Sequence, residues 1–407
     1  MSKLQLGWID FSKKDRQKAL DVINFLSEQG AVDELGIGIV RDAFANYFFP
    51  GTSTIQTRAK YFLIVPYVLK EAVDGRYGRD LNKILRSIDS AEKECGIRLL
   101  ESNPKAEGVI GARVLPKGWV ARKPSDIYWN GIRTYGIFRD DSLSIPEYVK
   151  MSMQLSEQKS SVKPEKHKDD VQEKDYDDAD AGDITSIQFW NIPVYKKNWR
   201  DGLSIELTSQ EALFLDQQIQ KSTKGTLLEF ILKNRIDLNE FDGFASMALE
   251  LKEKVDDELS YMMKLACNFN NLIYMARVRY NVMLSEGENE IAIEEWKKLQ
   301  ADCKTMAGVD LNAVFDKLNI HNSDTNSGTS LFLSQLQEAF LTANIDDADE
   351  LIKKRECKLK GENRAKLSRT KEFDHSKWIG GRKLDYRFSN ARRIINDIYH
   401  GEESADV

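Results

Sequence analysis

The residues best suited to chemistry gather at one turn. Pro50-Gly51-Thr52-Ser53-Thr54 separates two apolar runs, and Gln56, Thr57, Arg58 and Lys60 follow at the start of the second. Hydroxyls, an amide and two cations at a helix start make an anion site, because unpaired backbone N–H groups and the positive end of the helix dipole point the same way. On this reading Thr52, Ser53, Thr54, Gln56, Arg58 and Lys60 hold a phosphate of a nucleic acid or nucleotide. The competing reading is structural: Thr52 or Ser53 caps the helix, and Arg58 pairs with Asp42 or another internal acid.

The elements around the turn follow from spacing. Arg41–Phe48 reads as a short helix stopped by Pro50. From Thr54 onward Ile55, Ala59, Phe62, Leu63 and Pro66 share a helical face, with Pro66 kinking the later turns. Upstream, Leu4–Ile9 reads as an edge strand, and Ser12 with Asp15 caps a helix that Gly30 ends. Downstream, a helix continues to Cys95 and stops at Gly96. The stretch from Gly108 to Arg139 then changes texture, with short runs at Gly108–Gly111 and Trp119–Val120 that suit turns and strands. It carries Arg113, Lys117, Arg122, Lys123, Arg133 and Arg139 against the single acid Asp126, interleaved with Trp119, Tyr128, Trp129, Tyr135 and Phe138. Cations among aromatics fit phosphate tracking plus base stacking, which makes Arg122, Lys123, Trp129 and Arg133 candidate contacts. They also fit a core of aromatics with solvated cationic neighbours.

Residues 156–183 contain no Leu, Ile or Phe and read as a flexible acidic linker. Beyond it Thr208 and Glu211 form a capping box, and apolar residues from Phe244 to Leu284 recur every three or four positions, as in one long helix or two in line. Late in that spine Asn268, Asn270, Asn271, Tyr274, Arg277, Arg279, Tyr280 and Asn281 are polar, which fits interhelical hydrogen bonding or a partner surface. A helix-compatible basic run from Lys353 to Lys371 leads to Trp378-Ile379-Gly380-Gly381, then to Leu384-Asp385-Tyr386-Arg387-Phe388, and to a final helix bearing Arg392 and Arg393. The expected domains are residues 1–155, an α-rich mixed domain; 156–183, the linker; 184–350, a helical domain; and 351–407, a basic helical segment docked on the rest. The fold class expected is mainly α, with a small mixed α/β part in the N-terminal domain and a helical C-terminal domain.

Several chemistries are excluded by what the chain lacks. The four cysteines are scattered without C-x-x-C pairing, and there is no P-loop, dinucleotide fingerprint, H-E-x-x-H or G-x-S-x-G. No cofactor is evident, no metal site is indicated, and no catalytic residue can be assigned. The N-terminus has no signal-peptide core and the longest apolar stretch is far short of a membrane span, so a soluble cytoplasmic protein is expected. The formal net charge of −6 conceals a polarity, since residues 351–400 hold 15 Lys/Arg against 6 Asp/Glu. A basic end on an acidic chain suggests a polyanionic partner.

The segments LGWIDFS at Leu6–Ser12, DELGIG at Asp33–Gly38, RDAFANYFFPGTSTIQTRAKYF at Arg41–Phe62, KPSDIYWNGIRTYGIF at Lys123–Phe138 and LDYRFSNA at Leu384–Ala391 resemble an uncharacterised bacterial family, catalogued as a domain of unknown function. The resemblance implies a cytoplasmic bacterial protein encoded near helicases, methyltransferases or phospholipase-D-like nucleases of defence-type loci. It carries over no catalytic residue. The function expected is an accessory or recognition component of an anti-phage defence or DNA-modification system. It would contact nucleic acid, DNA rather than RNA, and partner a helicase, methyltransferase or nuclease subunit, with no membrane role. The contacts expected are the turn residues, Arg122, Lys123, Trp129, Arg133, Arg387 and Arg392. The alternatives are a nucleic-acid-processing enzyme, either a metal-dependent nuclease or a base-processing activity, and a protein–protein adaptor.

Overall fold

The computed structural model describes residues 33–74, 80–161, 189–320 and 328–404. The expected strand at Leu4–Ile9, the capped helix from Ser12 to Gly30 and most of the acidic linker lie outside those residues. The described helices are α1 (Gly38–Phe48), α2 (Tyr61–Asp74), α3 (Leu81–Ser102), α4 (Pro124–Thr134), α5 (Ile145–Ser161), α6 (Ser209–Ser222), α7 (Leu227–Lys233) and α8 (Phe244–Leu251). They continue with α9 (Asp257–Leu284), α10 (Glu290–Gln300), α11 (Cys303–Ala307), α12 (Leu311–Lys317), α13 (Thr329–Leu341), α14 (Ile345–Lys360) and α15 (Phe388–Glu403). No helix among the described residues is long and apolar enough to cross a membrane.

The small mixed α/β part expected in the N-terminal domain is not found. Among the described residues there is no sheet, and the one β-type pairing is an isolated antiparallel bridge between Phe138 and Trp190. The reason lies in the local hydrogen bonds of residues 108–120. Ala112 N–H donates to Val109 O, Val114 N–H to Gly111 O and Gly118 N–H to Val114 O, so turns satisfy donors that a strand would have offered to a neighbour. Gly96 does not end its helix either. Lacking a Cβ, it leaves room for Leu115, whose side chain would lie 2.8 Å from that atom, and α3 runs on to Ser102. The basic run after Lys353 is helical only to Lys360, where Gly361 follows at positive φ.

The chain divides into two compact units, one of residues up to Phe44 with Ser260–Leu384, the other of Ala45–Leu259 with residues from Asp385 onward. In the larger unit α2 is the central rod. Every residue from Tyr61 to Leu69 is buried, as expected for a helix that is apolar on all sides. Helices α3, α4 and α5 pack around it, while α6 packs on α7 and α15. Thr208 caps α6 with Glu211 returning to its backbone, as the spacing indicated. In the smaller unit α13 packs on α11 and α14.

The turn at residues 50–54 lies tight against α4. A Cβ on Gly131 would fall 2.4 Å from the Gly51 carbonyl oxygen and 2.7 Å from the Phe62 ring. Replacing glycine by alanine in an open helix stabilises by about 1 kcal/mol. Here Gly131→Ala should instead destabilise by about 1–3 kcal/mol through overpacking. Urea unfolding checks the sign, and a gain in stability would contradict this packing.

Candidate nucleic-acid interface

Two regions of the larger unit hold most of the residues singled out above. The first is the turn between α1 and α2, and its geometry differs from a helix-start anion site, because α2 begins at Tyr61 and residues 52–60 are turn and loop. Gln56, 2% exposed, closes the turn by donating to Gly51 O at 3.1 Å and accepting from Ser53 N–H at 3.0 Å. The Thr52 hydroxyl donates to Phe49 O at 2.6 Å, and Thr54 is exposed. The Tyr128 hydroxyl accepts from the Thr57 and Arg58 N–H groups at 2.8 and 3.0 Å.

The cations of the turn are engaged inside the unit. Arg58 Nε meets both Asp397 oxygens at 2.9 Å, Nη2 meets Glu206 at 2.7 Å and Nη1 donates to Glu107 O at 3.2 Å. The Ala59 N–H also donates to Asp397, at 2.7 Å. Burial pushes the Asp397 carboxyl up, with Arg58 and the Ala59 N–H opposing. Burial works against the Arg58 charge as well, but Asp397 and Glu206 outweigh it and raise the guanidinium. Two donors, Arg58 Nε across both oxygens and the Ala59 N–H, favour the charged form of Asp397 against that burial. Lys60 Nζ pairs with Glu211 at 2.6 Å.

Helix α15 supplies a polar stripe against the same turn. Arg387 Nη1 donates to Asn46 Oδ1 at 2.6 Å and Thr52 O at 2.8 Å, and Asn390 Nδ2 donates to Gln56 O at 3.0 Å. Arg392 lies off that stripe, donating to Phe241 O at 3.2 Å with its guanidinium 5.3 Å from the Phe388 ring. The signal was present in the chain: Arg387, Asn390, Arg393 and Asp397 recur at helical spacing opposite an apolar face, which marks a stripe that needs a polar partner.

The second region is the face made by α3 and the start of α4. Trp119 Nε1 donates to Asp89 at 2.9 Å and Lys123 Nζ pairs with Asp89 at 3.0 Å, which sets the 108–122 loop and the start of α4 on the α3 surface. Asn82, Leu85, Arg86, Asp89 and Lys123 line an open recess of about 450 Å³. Lys83, Arg86, Arg113, Lys117 and Arg122 are exposed. Trp129 belongs elsewhere: it is 8% exposed, its Nε1 donates to Leu143 O at 3.2 Å, and its ring packs on Phe138 and Trp190. Arg133 donates to Asp141 O at 3.0 Å. The structure therefore brings Lys123 together with Asn82 and Arg86 at one recess, leaves Arg122 exposed beside Lys123 in sequence, and places Trp129 in the aromatic core.

Beneath this face Glu92, 1% exposed, ties α3 to α4. It accepts from Ser125 N–H at 2.7 Å and from the Ser125 hydroxyl at 3.1 Å. Burial pushes its carboxyl up to about 8, although the Ser125 bonds and Lys123 oppose the shift. A raised folded-state value means that the protonated acid is the form the fold favours. Its stabilisation is complete below the ordinary carboxyl range and is lost as pH rises through about 8.

The described residues are α-helical, and the candidate site among them is a basic surface. The chain's relationship to known proteins is at family level: residues 1–324 match the family of unknown function DUF6361, and the chain belongs to that family. No curated protein and no solved structure matches it. The LDYRFSNA stretch, which begins α15 and supplies Arg387 and Asn390, lies beyond the matched residues.

The Glu92 clasp makes a pH prediction. Between pH 5 and pH 9 the unfolding free energy of the native chain should fall relative to that of Glu92→Gln by roughly 2–4 kcal/mol. Urea titrations of both proteins across that range check it, and parallel pH profiles would contradict a buried acid at this position.

Proposed function

We propose that this protein is a recognition or accessory component that contacts nucleic acid, DNA rather than RNA, within a bacterial anti-phage defence or DNA-modification system. The observation that carries the reading is the surface of α3 and the start of α4, where Asn82, Arg86 and Lys123 line one recess and Lys83 and Arg122, their neighbours in sequence, are exposed. Asp89 is the acid lining that recess, and it is occupied by Trp119 and Lys123. Exposed cations around a polar recess suit phosphate contacts, and an amide such as Asn82 suits hydrogen bonding to sugar or phosphate oxygens. The defence setting rests on the sequence resemblance and on the polarised charge of the chain. A helicase, methyltransferase or nuclease subunit is the partner that setting implies.

A protein–protein adaptor is the second reading, favoured by a separate recess of about 760 Å³ lined by residues that include Phe230, Ile236, Phe241 and Leu251 and rimmed by Asp237, Glu240 and Glu250. The two readings separate by salt dependence. With a labelled DNA duplex, log K should fall linearly with log salt concentration, and Arg86→Ala with Arg122→Ala should reduce that slope by about 2 at unchanged melting temperature. Absence of binding at low salt, or a slope unaffected by the double variant, would contradict the nucleic-acid reading.

A further inference from the structure

In the smaller unit, helix α9 is polar where a spine would be apolar, and its polar side chains hold one backbone segment. Asn270 Oδ1 accepts from Leu384 N–H at 2.7 Å, and Arg277 Nη1 donates to Arg382 O at 2.7 Å. Asn281 grips Ile379 twice, accepting from its N–H at 2.7 Å and donating to its carbonyl at 3.0 Å. The three residues recur at helical spacing, so they act along one face. The gripped chain has neither helix nor strand, and its two glycines let it lie close. A Cβ on Gly381 would fall 2.7 Å from the Arg277 guanidinium, and Gly380, at φ +83°, passes 3.1 Å from Glu34 by the same measure.

A surface segment clamped on its inner side presents fixed groups on its outer side. Lys377, Arg382 and Lys383 are exposed and Trp378 is half-buried. Trp378 Nε1 donates to Gly381 O at 3.4 Å, and its ring stacks on Tyr274 at a centroid distance of 6.4 Å and 23° between planes. The Arg382 guanidinium lies 4.7 Å from the Trp378 ring centroid, and Lys383 Nζ lies 5.3 Å from that of Tyr274. The nearby acids have other partners: Asp374 pairs with Lys377, while Glu295 accepts from the Tyr274 hydroxyl and pairs with Lys298. Arg382 lies over the Trp378 ring and Lys383 over that of Tyr274, with Glu295 near enough to Lys383 to interact electrostatically, and a ring contact leaves the cation's charge in place for an anion.

We propose that Trp378, Arg382 and Lys383 form a ledge for an unpaired nucleic-acid strand, in which a base displaces the Arg382 guanidinium from the Trp378 ring and adjacent phosphates lie against Arg382 and Lys383. The ledge rests on the nucleic-acid reading above and names the strand state. Only an unpaired base offers a ring face, whereas an acidic protein surface would use the cations and leave the indole idle. Asn270, Arg277 and Asn281 are positioning residues, because they act through the backbone that carries the ledge.

The test is anisotropy of the full chain with labelled oligothymidine and with duplex DNA over a range of salt. Trp378→Ala should weaken single-strand binding roughly tenfold at unchanged salt slope. Arg382→Ala with Lys383→Ala should lower the slope by about 1.4, the value for two phosphates on a single strand. Duplex binding and melting temperature should hold in both, and Trp378→Phe, which keeps a stacking face, should retain most of the affinity. Single-strand binding that survives all these changes overturns the ledge, as does equal loss on duplex, or displacement of the strand by polyglutamate as readily as by unlabelled oligothymidine. If Arg86→Ala with Arg122→Ala abolishes binding while Trp378→Ala does nothing, the ledge alone fails. If no nucleic acid binds at all, the function proposed above fails with it.

Discussion

Arg58 and Asp397 stand 339 residues apart and meet through Nε and both carboxylate oxygens at 2.9 Å, with side chains 12% and 8% exposed. An ion buried to this degree is tolerable only with a partner and further hydrogen bonds, and removing one member of such a pair typically costs about 3–5 kcal/mol. Much of the larger unit follows from meeting that requirement. Asp397 sits on α15, so α15 must dock where the turn can reach it, and Arg387 and Asn390 then fall against the carbonyls of Thr52 and Gln56. Glu206 and the Glu107 carbonyl complete the Arg58 fork, and Tyr128 holds the backbone on either side of it. A turn that resembles a ligand cradle in the linear chain is in this respect an internal junction.

The smaller unit uses the same economy of charge. Glu356, fully buried, accepts from the Tyr280 hydroxyl at 2.8 Å, from Lys360 at 3.1 Å and from the Leu367 N–H at 3.0 Å. Glu34 pairs with Lys360 and Lys366, and Arg279 pairs with Asp349 while lying over Trp296. The basic run that looked available for a polyanion is thus partly committed to the fold at Arg355, Lys360 and Lys366. Cations left facing solvent are the informative ones, because solvation or a partner must meet their charge. Among them are Lys83, Arg86 and Arg122 on or next to α3 in one unit and Arg382 and Lys383 on the clamped segment in the other.

Local patterns were legible from the chain. The α1 run, the Thr208 cap and the apolar spacing from Phe244 to Leu284 correspond to helices, the last as two, because residues 252–256 interrupt the pattern, whereas the run expected to be helical from Thr54 becomes helix only at Tyr61. What failed to show depended on distant contacts. Gly96 lies inside α3, where Leu115 and Trp119 fill the space that a Cβ would take. The runs at residues 108–120 form turns because their donors close on carbonyls three or four positions back. Of the site residues, the physical types were visible but their partners were not: nothing near Arg58 in sequence announces Asp397, and nothing near Asn281 announces Ile379. The polar stripe on α9 is visible in the sequence without its purpose, since a stripe shows that a partner exists and not that the partner is a backbone segment.

The cations of the turn belong to the fold, and a double-mutant cycle on Arg58 and Asp397 by urea unfolding tests this most directly. Arg58→Met and Asp397→Leu should each destabilise by about 3–5 kcal/mol, and the double variant should lose far less than their sum. Additive effects, or an Arg58→Met protein of native stability that no longer retains nucleic acid, would contradict it and return Arg58 to a role in phosphate recognition.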